Sequence, residues 1–185
     1  MQASLYPAFK QAILAETDPT FVALRNAGES GQMALWYNQE QSPMFTVWRS
    51  SATTSEILNG VVGANLTPLD SPDGTAMFTN RALVCQAKQI NLQMYLQKDG
   101  SLPVGQLNIR QTLQDALTNV PSGVGGALLD AGWAGTGKVK DIISRPCTRA
   151  EKIWTTGTGS TGVPGSLGAF EGTVSNDDIL NALRS

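Results

Sequence analysis

The sequence predicts a mainly α fold: a helical bundle with a long central helix, an extended segment crossing it, and an extended C-terminal arm that carries a short strand. Three observations predict it. Apolar residues recur at helical spacing along most of the chain. One β-branched and aromatic run, Pro43-Met44-Phe45-Thr46-Val47-Trp48-Arg49, interrupts that pattern. Finally, Thr148-Arg149-Ala150-Glu151 is a Thr-x-x-Glu capping box opening a short helix, and a run of Gly, Ser and Thr follows it over residues 155–162. Such a run has almost no apolar surface to bury, so alone it cannot offset the entropy of becoming ordered. The expected division is a helical body over 1–154 and, over 155–185, an arm, a short strand and a terminal helix. The arm and strand are expected to take their shape against a neighbouring subunit.

The elements follow in order. Leu5, Phe9 and Ile13 recur at i, i+4 and i+8 and form the stripe of a first helix, with Pro7 in its first turn where a missing amide does no harm. Thr17-Asp18-Pro19-Thr20 breaks that helix and caps a second, carrying Phe21, Val22 and Leu24 and stopping at Gly28. Ser30 caps a third, with Met33, Leu35, Trp36 and Tyr37. Thr53 or Thr54 starts a brief helix over 55–58, halted by Asn59-Gly60, and 61–74 reads as a loop. The longest helix runs from about 75 to 98, where Phe78, Ala82, Cys85, Gln89, Leu92 and Leu96 keep a 4-3 spacing and Met77, Val84 and Tyr95 widen the face. At 1.5 Å per residue it spans about 35 Å. Asp99-Gly100 ends it. Asn108 caps a helix striped by Ile109, Leu113, Ala116 and Leu117; an apolar piece over 127–133 precedes a helix over 138–144. Phe170-Glu171-Gly172-Thr173-Val174 reads as a strand, and Ser175 caps a terminal helix bearing Ile179, Leu180 and Leu183.

Composition narrows the function classes. Charged residues are only 15% of the 185, well below the usual quarter, which suits extensive protein contact. Net charge is −2 and the densest basic cluster, Lys138 to Lys152, is broken by Asp141 and Glu151, so no phosphate-backbone footprint is present. There is no histidine, which removes Ser-His and Cys-His nucleophile activation and the imidazole ligands of most catalytic zinc sites. Gly132-Trp133-Ala134-Gly135-Thr136-Gly137-Lys138-Val139 is one residue short of a phosphate-binding loop, with Val139 where a magnesium-binding hydroxyl belongs. Helix capping by Thr136 and close packing beside Trp133 are the better account of its glycines. Asp177 and Asp178 sit in the first turn of the last helix and complement its dipole rather than form an acid pair. Asp70 and Asp73, with Ser71, suit Asx turns better than calcium. No catalytic, cofactor or metal residue is therefore expected. Cys85 and Cys147 leave two alternatives open, one disulfide or two separate thiols in a reduced protein, and the second is the preferred expectation. The start, Met1-Gln2-Ala3-Ser4-Leu5-Tyr6-Pro7, lacks a basic region followed by an apolar run, so a cytoplasmic chain is expected, and no apolar run reaches membrane-spanning length.

Trp36, Trp48 and Trp154 lie on apolar faces and read as core or interface anchors. Arg49, Arg145 and Arg149 lack acidic sequence neighbours and are candidates for ion pairs between subunits. With Gly157, Thr158 and Gly159 in the arm and Phe170 and Val174 in the strand, the expected interface set is Trp48, Arg49, Arg145, Arg149, Trp154 and these five.

Three segments carry a resemblance. They are Ala23-Leu24-Arg25-Asn26-Ala27-Gly28 running on to Ala34-Leu35-Trp36-Tyr37-Asn38; Ser42-Pro43-Met44-Phe45-Thr46-Val47-Trp48-Arg49-Ser50-Ser51, followed by residues 53–57; and Thr148-Arg149-Ala150-Glu151-Lys152-Ile153-Trp154 with Thr156-Gly157-Thr158-Gly159 and Phe170-Glu171-Gly172. In this order they resemble small tailed-bacteriophage virion proteins encoded among head and tail genes. They span about half the chain, whereas the Trp-rich stretch such proteins carry near residues 61–77 is absent. The resemblance implies a non-enzymatic virion subunit, of the head–tail connector or adaptor kind. It implies a twelve-fold or six-fold homo-oligomeric ring between portal and tail proteins, with DNA met only in the ring lumen and no membrane partner. Such a protein resides in the virion and, during assembly, in the host cytoplasm.

Overall fold

The computed structural model describes residues 1–67, 76–97, 100–121, 127–160 and 162–185, with the backbone alone over 76–80. In chain order its elements are α1 (Tyr6–Ala15), α2 (Pro19–Ala27), α3 (Ser30–Tyr37), β1 (Thr46–Trp48), β2 (Ala52–Thr53), α4 (Thr54–Gly60), α5 (Ala76–Leu96), β3 (Ser101–Leu102), α6 (Leu107–Leu117), β4 (Val120–Pro121), β5 (Leu128–Leu129), α7 (Val139–Ile142), β6 (Ser144–Pro146), α8 (Arg149–Lys152) and α9 (Asn176–Arg184). About half the chain is helical, and small antiparallel pairs such as β2–β3 and β4–β5 make the fold mixed α/β rather than a plain helical bundle. The chain divides into two compact units: unit 1 is Met1–Trp48 with Pro146–Ser185, and unit 2 is Arg49–Arg145. Residues 155–185 therefore belong to the same body as the first three helices, and no boundary falls at 154.

Unit 1 packs α1, α3 and α9 together, with α2 and α8 against α3. Its core holds Phe9, Ile13, Phe21, Tyr37, Phe170 and Ile179. The helices begin where side-chain chemistry starts them. Asp18 accepts from the Thr20 and Phe21 amides with Pro19 in the first turn of α2, and Gly28 closes α2 at φ 72°. Thr148 and Glu151 form the reciprocal box on α8, as do Ser175 and Asp178 on α9. Ser30 is itself the first residue of α3 and does not cap it.

The expected arm is folded onto unit 1 instead of extending from it. Thr156 and Ser166 exchange two backbone hydrogen bonds, and Thr46 donates to the Gly159 carbonyl and accepts from the Gly165 amide. The glycines make this return feasible. Any Cβ on Gly159, which sits at φ 64°, would enter the Phe45 ring, and one on Gly165 would strike Phe45 and the Thr156 carbonyl. The predicted strand from Phe170 to Val174 does not form. The Val174 amide donates to Asn38 Oδ1 (2.7 Å), its carbonyl accepts from Asn38 Nδ2 (2.8 Å), and the Gly172 amide donates to Glu151 Oε1 (3.0 Å). Side chains of the same unit satisfy the groups that a neighbour's sheet was expected to satisfy.

Unit 2 buries Ile57, Leu102, Leu113, Leu117, Val139 and Ile143 completely. Thr53 caps α4 in a third reciprocal box with Glu56. α4 lies against α7, and a Cβ on Gly60 would meet the backbone of Lys138 and Val139, which explains the glycine at that crossing. α5 packs on α6 and β4. The cap of α6 is Gln106, one residue before the helix begins, so Asn108 lies inside the first turn. α7 is shorter than expected. The Arg49 amide donates to the Ile143 carbonyl (2.9 Å), bringing the two ends of this unit together. The expected Asx turns at Asp70, Ser71 and Asp73, the helix boundaries at 75 and 98, and the side chains of Met77 and Phe78 lie outside the described residues.

Candidate functional site

The clearest recess in unit 1 is a cavity of about 290 Å³ walled by Glu16, Asp18, Trp36, Tyr37, Arg149 and Lys152. Local sequence positions each wall. Glu16 follows the end of α1, and its Oε1 accepts from the Thr17 (2.9 Å) and Asp18 (3.0 Å) amides. Asp18 caps α2 with Oδ1. Arg25 Nη1 donates to the Ile13 and Leu14 carbonyls and so closes the end of α1. Trp36 and Tyr37 end α3, each edged by Phe21, and Phe9 meets Tyr37 edge-on at 4.9 Å. Arg149 and Lys152, one turn apart on α8, lie over aromatic faces: the Arg149 guanidinium is 3.5 Å from the Trp36 ring centre, and Lys152 Nζ is 4.0 Å from that of Phe45.

Three polar atoms in this wall, Trp36 Nε1, the Tyr37 hydroxyl oxygen and Arg149 Nη1, are buried and make no hydrogen bond among the described residues. Leaving a buried donor unmade costs about 1–3 kcal/mol each, so three such atoms beside one cavity make its wall a candidate place for a partner's polar group. Burial pushes the Tyr37 phenol well above its usual range; the Glu16 charge adds to this, and Arg25 and Arg149 oppose it. Tyr37 is therefore a protonated donor at neutral pH. Cations held on ring faces, with two carboxylates that each keep one oxygen on backbone amides, suit recognition of a polar side chain more than proton transfer.

Of the expected interface residues, only Arg149 lines this cavity. Trp154 is half-buried between Phe9 and Phe170, with ring centres 6.1 and 5.4 Å away. Phe170 and Val174, expected at an interface, are buried in the unit 1 core. Gly157 takes φ 93°, Thr158 Oγ1 donates to the Val163 carbonyl, and Gly159 is buried against Phe45, so these three shape the folded-back loop. Trp48 is half-buried, its amide donating to the Gly165 carbonyl (3.0 Å). Arg49 belongs to unit 2, where it pairs with Glu56 at 2.9 Å and donates to the Ile142 carbonyl; its acid is in the same chain, not a neighbour's. Arg145 is half-buried in β6. The reading missed Glu16, Asp18, Tyr37 and Lys152. The i, i+3 pair Arg149 and Lys152 was a usable signal, since both must share one face of α8.

Near Gly132 no phosphate cradle forms. A Cβ on Gly132 would run into the Gly60 carbonyl, the Gly137 amide donates to Asp141 Oδ2 (3.2 Å), and α7 starts without a side-chain cap, so Thr136 does not serve as one. Among the described residues no group of three or more Cys, Asp or Glu could hold a metal ion, and no helix is long and apolar enough to cross a membrane. Cys85 and Cys147 are both buried thiols, not joined in a disulfide. Comparisons with protein-family models, curated proteins and solved structures return no match.

Proposed function

We propose that this chain is a structural subunit of a tailed-phage virion, of the head–tail connector or adaptor kind, forming a twelve-fold or six-fold ring beneath the portal. The observation that carries the reading is where the resembling segments lie. Widely separated in sequence, 23–38, 42–48, 148–154, 156–159 and 170–172 fall in unit 1, while 49–51 and 53–57 fall in unit 2, and some of the unit 1 segments touch: the Thr46 amide donates to the Gly159 carbonyl, and the Gly172 amide to Glu151. Residues 61–77, where the resemblance lapses, fall in unit 2. A pattern whose larger part reassembles into one body is what a shared docking module produces.

Docking in this reading uses the surface of unit 1, not a projecting arm. Leu14, Leu35, Met44 and Val163 are each more than half exposed, and the Arg149–Trp36 wall offers donors to a neighbour's acceptor. The chain works by binding, without catalysis, with portal and tail proteins as its neighbours and DNA passing through the ring lumen. The deciding measurement is mass spectrometry of purified virions of the phage that encodes it. The expected result is the chain at six or twelve copies per particle. Absence from particles would overturn the reading in favour of an assembly factor that departs before completion, and another stoichiometry would move it to a minor head or tail component.

A further inference from the structure

The long helix of unit 2 is inverted. One row of α5, Arg81, Cys85, Lys88 and Leu92, is buried within the unit. Lys88 Nζ donates to the Asp115 carbonyl and lies 3.6 Å from its carboxylate, and Cys85 Sγ is 3.9 Å from the Pro121 carbonyl. The row on the other side is Leu83, Ala87, Ile90 and Met94, and it faces solvent; Leu83 is 58%, Ile90 48% and Met94 65% exposed. Arg81 and Lys88 are the only charged residues in Ala76–Leu96. The helix thus turns both charges inward beside Cys85 and Leu92 and leaves Leu83, Ile90 and Met94 outward, unlike a surface helix whose apolar residues all face its own core.

The outer row advances in steps of four, three and four, the spacing of a coiled-coil seam. That spacing calls for another helix, not for a flat surface. Gln86 and Gln93 on one side and Val84 and Asn91 on the other occupy the flanking positions, and all four are exposed and uncharged. Flanking charges are what direct a coiled-coil helix to a particular different partner or repel its own copy; here nothing does either. A second α5 presents the same seam with the same neutral rim. Side-chain size sets the direction. Run antiparallel, Ala87 faces Ile90 and Leu83 faces Met94, so a small side chain meets a large one; run parallel, Ala87 meets Ala87 and leaves a void.

We infer that unit 2 binds a second copy of the chain through an antiparallel α5–α5 contact along Leu83, Ala87, Ile90 and Met94. The contact is two-fold and closes on itself, so it pairs subunits and does not propagate a ring. It stands whether or not the chain is a virion component. Sedimentation equilibrium on the full chain tests it. A mass of two chains that falls to one on dilution through the micromolar range is expected. Ile90→Glu should weaken association on the order of tenfold or more with an unchanged circular-dichroism spectrum, because the side chain is not part of the fold's own core. Leu83→Lys and Met94→Glu should each weaken the dimer, and the double variant should recover it, since only the antiparallel pair sets the new charges against each other. A wild-type chain that stays monomeric, or a dimer indifferent to Ile90→Glu, overturns the inference; failure of the double variant to recover overturns the antiparallel geometry.

Discussion

Asp178 shows how much one carboxylate can organise. It accepts from the Met1 α-amino group (2.7 Å), the Tyr6 hydroxyl (3.2 Å), and the Ser175 amide and hydroxyl (2.9 and 2.8 Å). Burial pushes its carboxyl up, but these donors outweigh it and bring it down to about 2. Because the unfolded carboxyl titrates near 4, the stabilisation is fully present above about pH 4 and is lost as pH falls toward 2. Asp178→Asn should destabilise unit 1 at neutral pH by about 1–3 kcal/mol, with the difference from wild type shrinking on acidification, as urea midpoints across pH would register. Glu56 in unit 2 follows the same sign: its bond from Arg49, then that from the Thr53 amide, hold it at about 2. Gly159→Ala should cost roughly 2–4 kcal/mol, since the new methyl both meets the Phe45 ring and carries a left-handed φ; a thermal midpoint equal to wild type would refute that account. The Thr148–Glu151 box was legible because it closes within four residues, whereas on α4 and α9 only the capping residues Thr53 or Thr54 and Ser175 were read, not their partners Glu56 and Asp178. The second role of Glu151, holding the Gly172 amide, was not, because its partner lies 21 positions away.

Among the elements, the helices with strong caps and stripes read correctly and the tail did not. Residues 155–174 are poor in apolar side chains, and from composition alone they had nothing to fold against. What orders them is hydrogen bonding: the Thr46 backbone and the Asn38 side chain provide partners from elsewhere in the unit, Ser166 pairs with Thr156 inside the segment, and glycine lets the main chain approach the Phe45 ring. Asn38→Leu should remove both bonds to Val174. The expected outcome is a loss of about 2 kcal/mol and faster amide exchange at Val174, with α5 exchange unaffected. If Val174 kept its protection, the account of why no strand forms there would fail. α5 illustrates a different blindness. One 4-3 row was plain, and its Cys85 and Leu92 are buried, but Gln89 of that row is exposed, and helical spacing alone did not place Arg81 and Lys88 on the buried side. Of the cavity beside Arg149, only the spacing of its two cations, one turn apart on α8, was visible in the sequence; Glu16 and Asp18 come from the α1–α2 connection and Tyr37 from the end of α3.

Taken as a whole, the chain carries one thiol in each unit, Cys147 in unit 1 and Cys85 in unit 2, both buried. Burial also pushes the Cys85 thiol above its ordinary range, despite the opposing charges of Lys88 and Arg81. Each thiol should react slowly with an aromatic disulfide until its own unit opens. Single Cys85→Ser and Cys147→Ser chains, labelled across a urea series, should therefore report two distinct midpoints; coincident midpoints would mean the units melt as one. The Arg49–Ile143 hydrogen bond has a consequence for how such a chain diversifies. Where entry and exit of an inserted body sit one bond apart, the body can be exchanged for any other with equally close termini while the host keeps its own packing. Sequence drift, and even wholesale replacement, can then concentrate between Trp48 and Pro146, which makes that junction the natural graft point for a reporter domain.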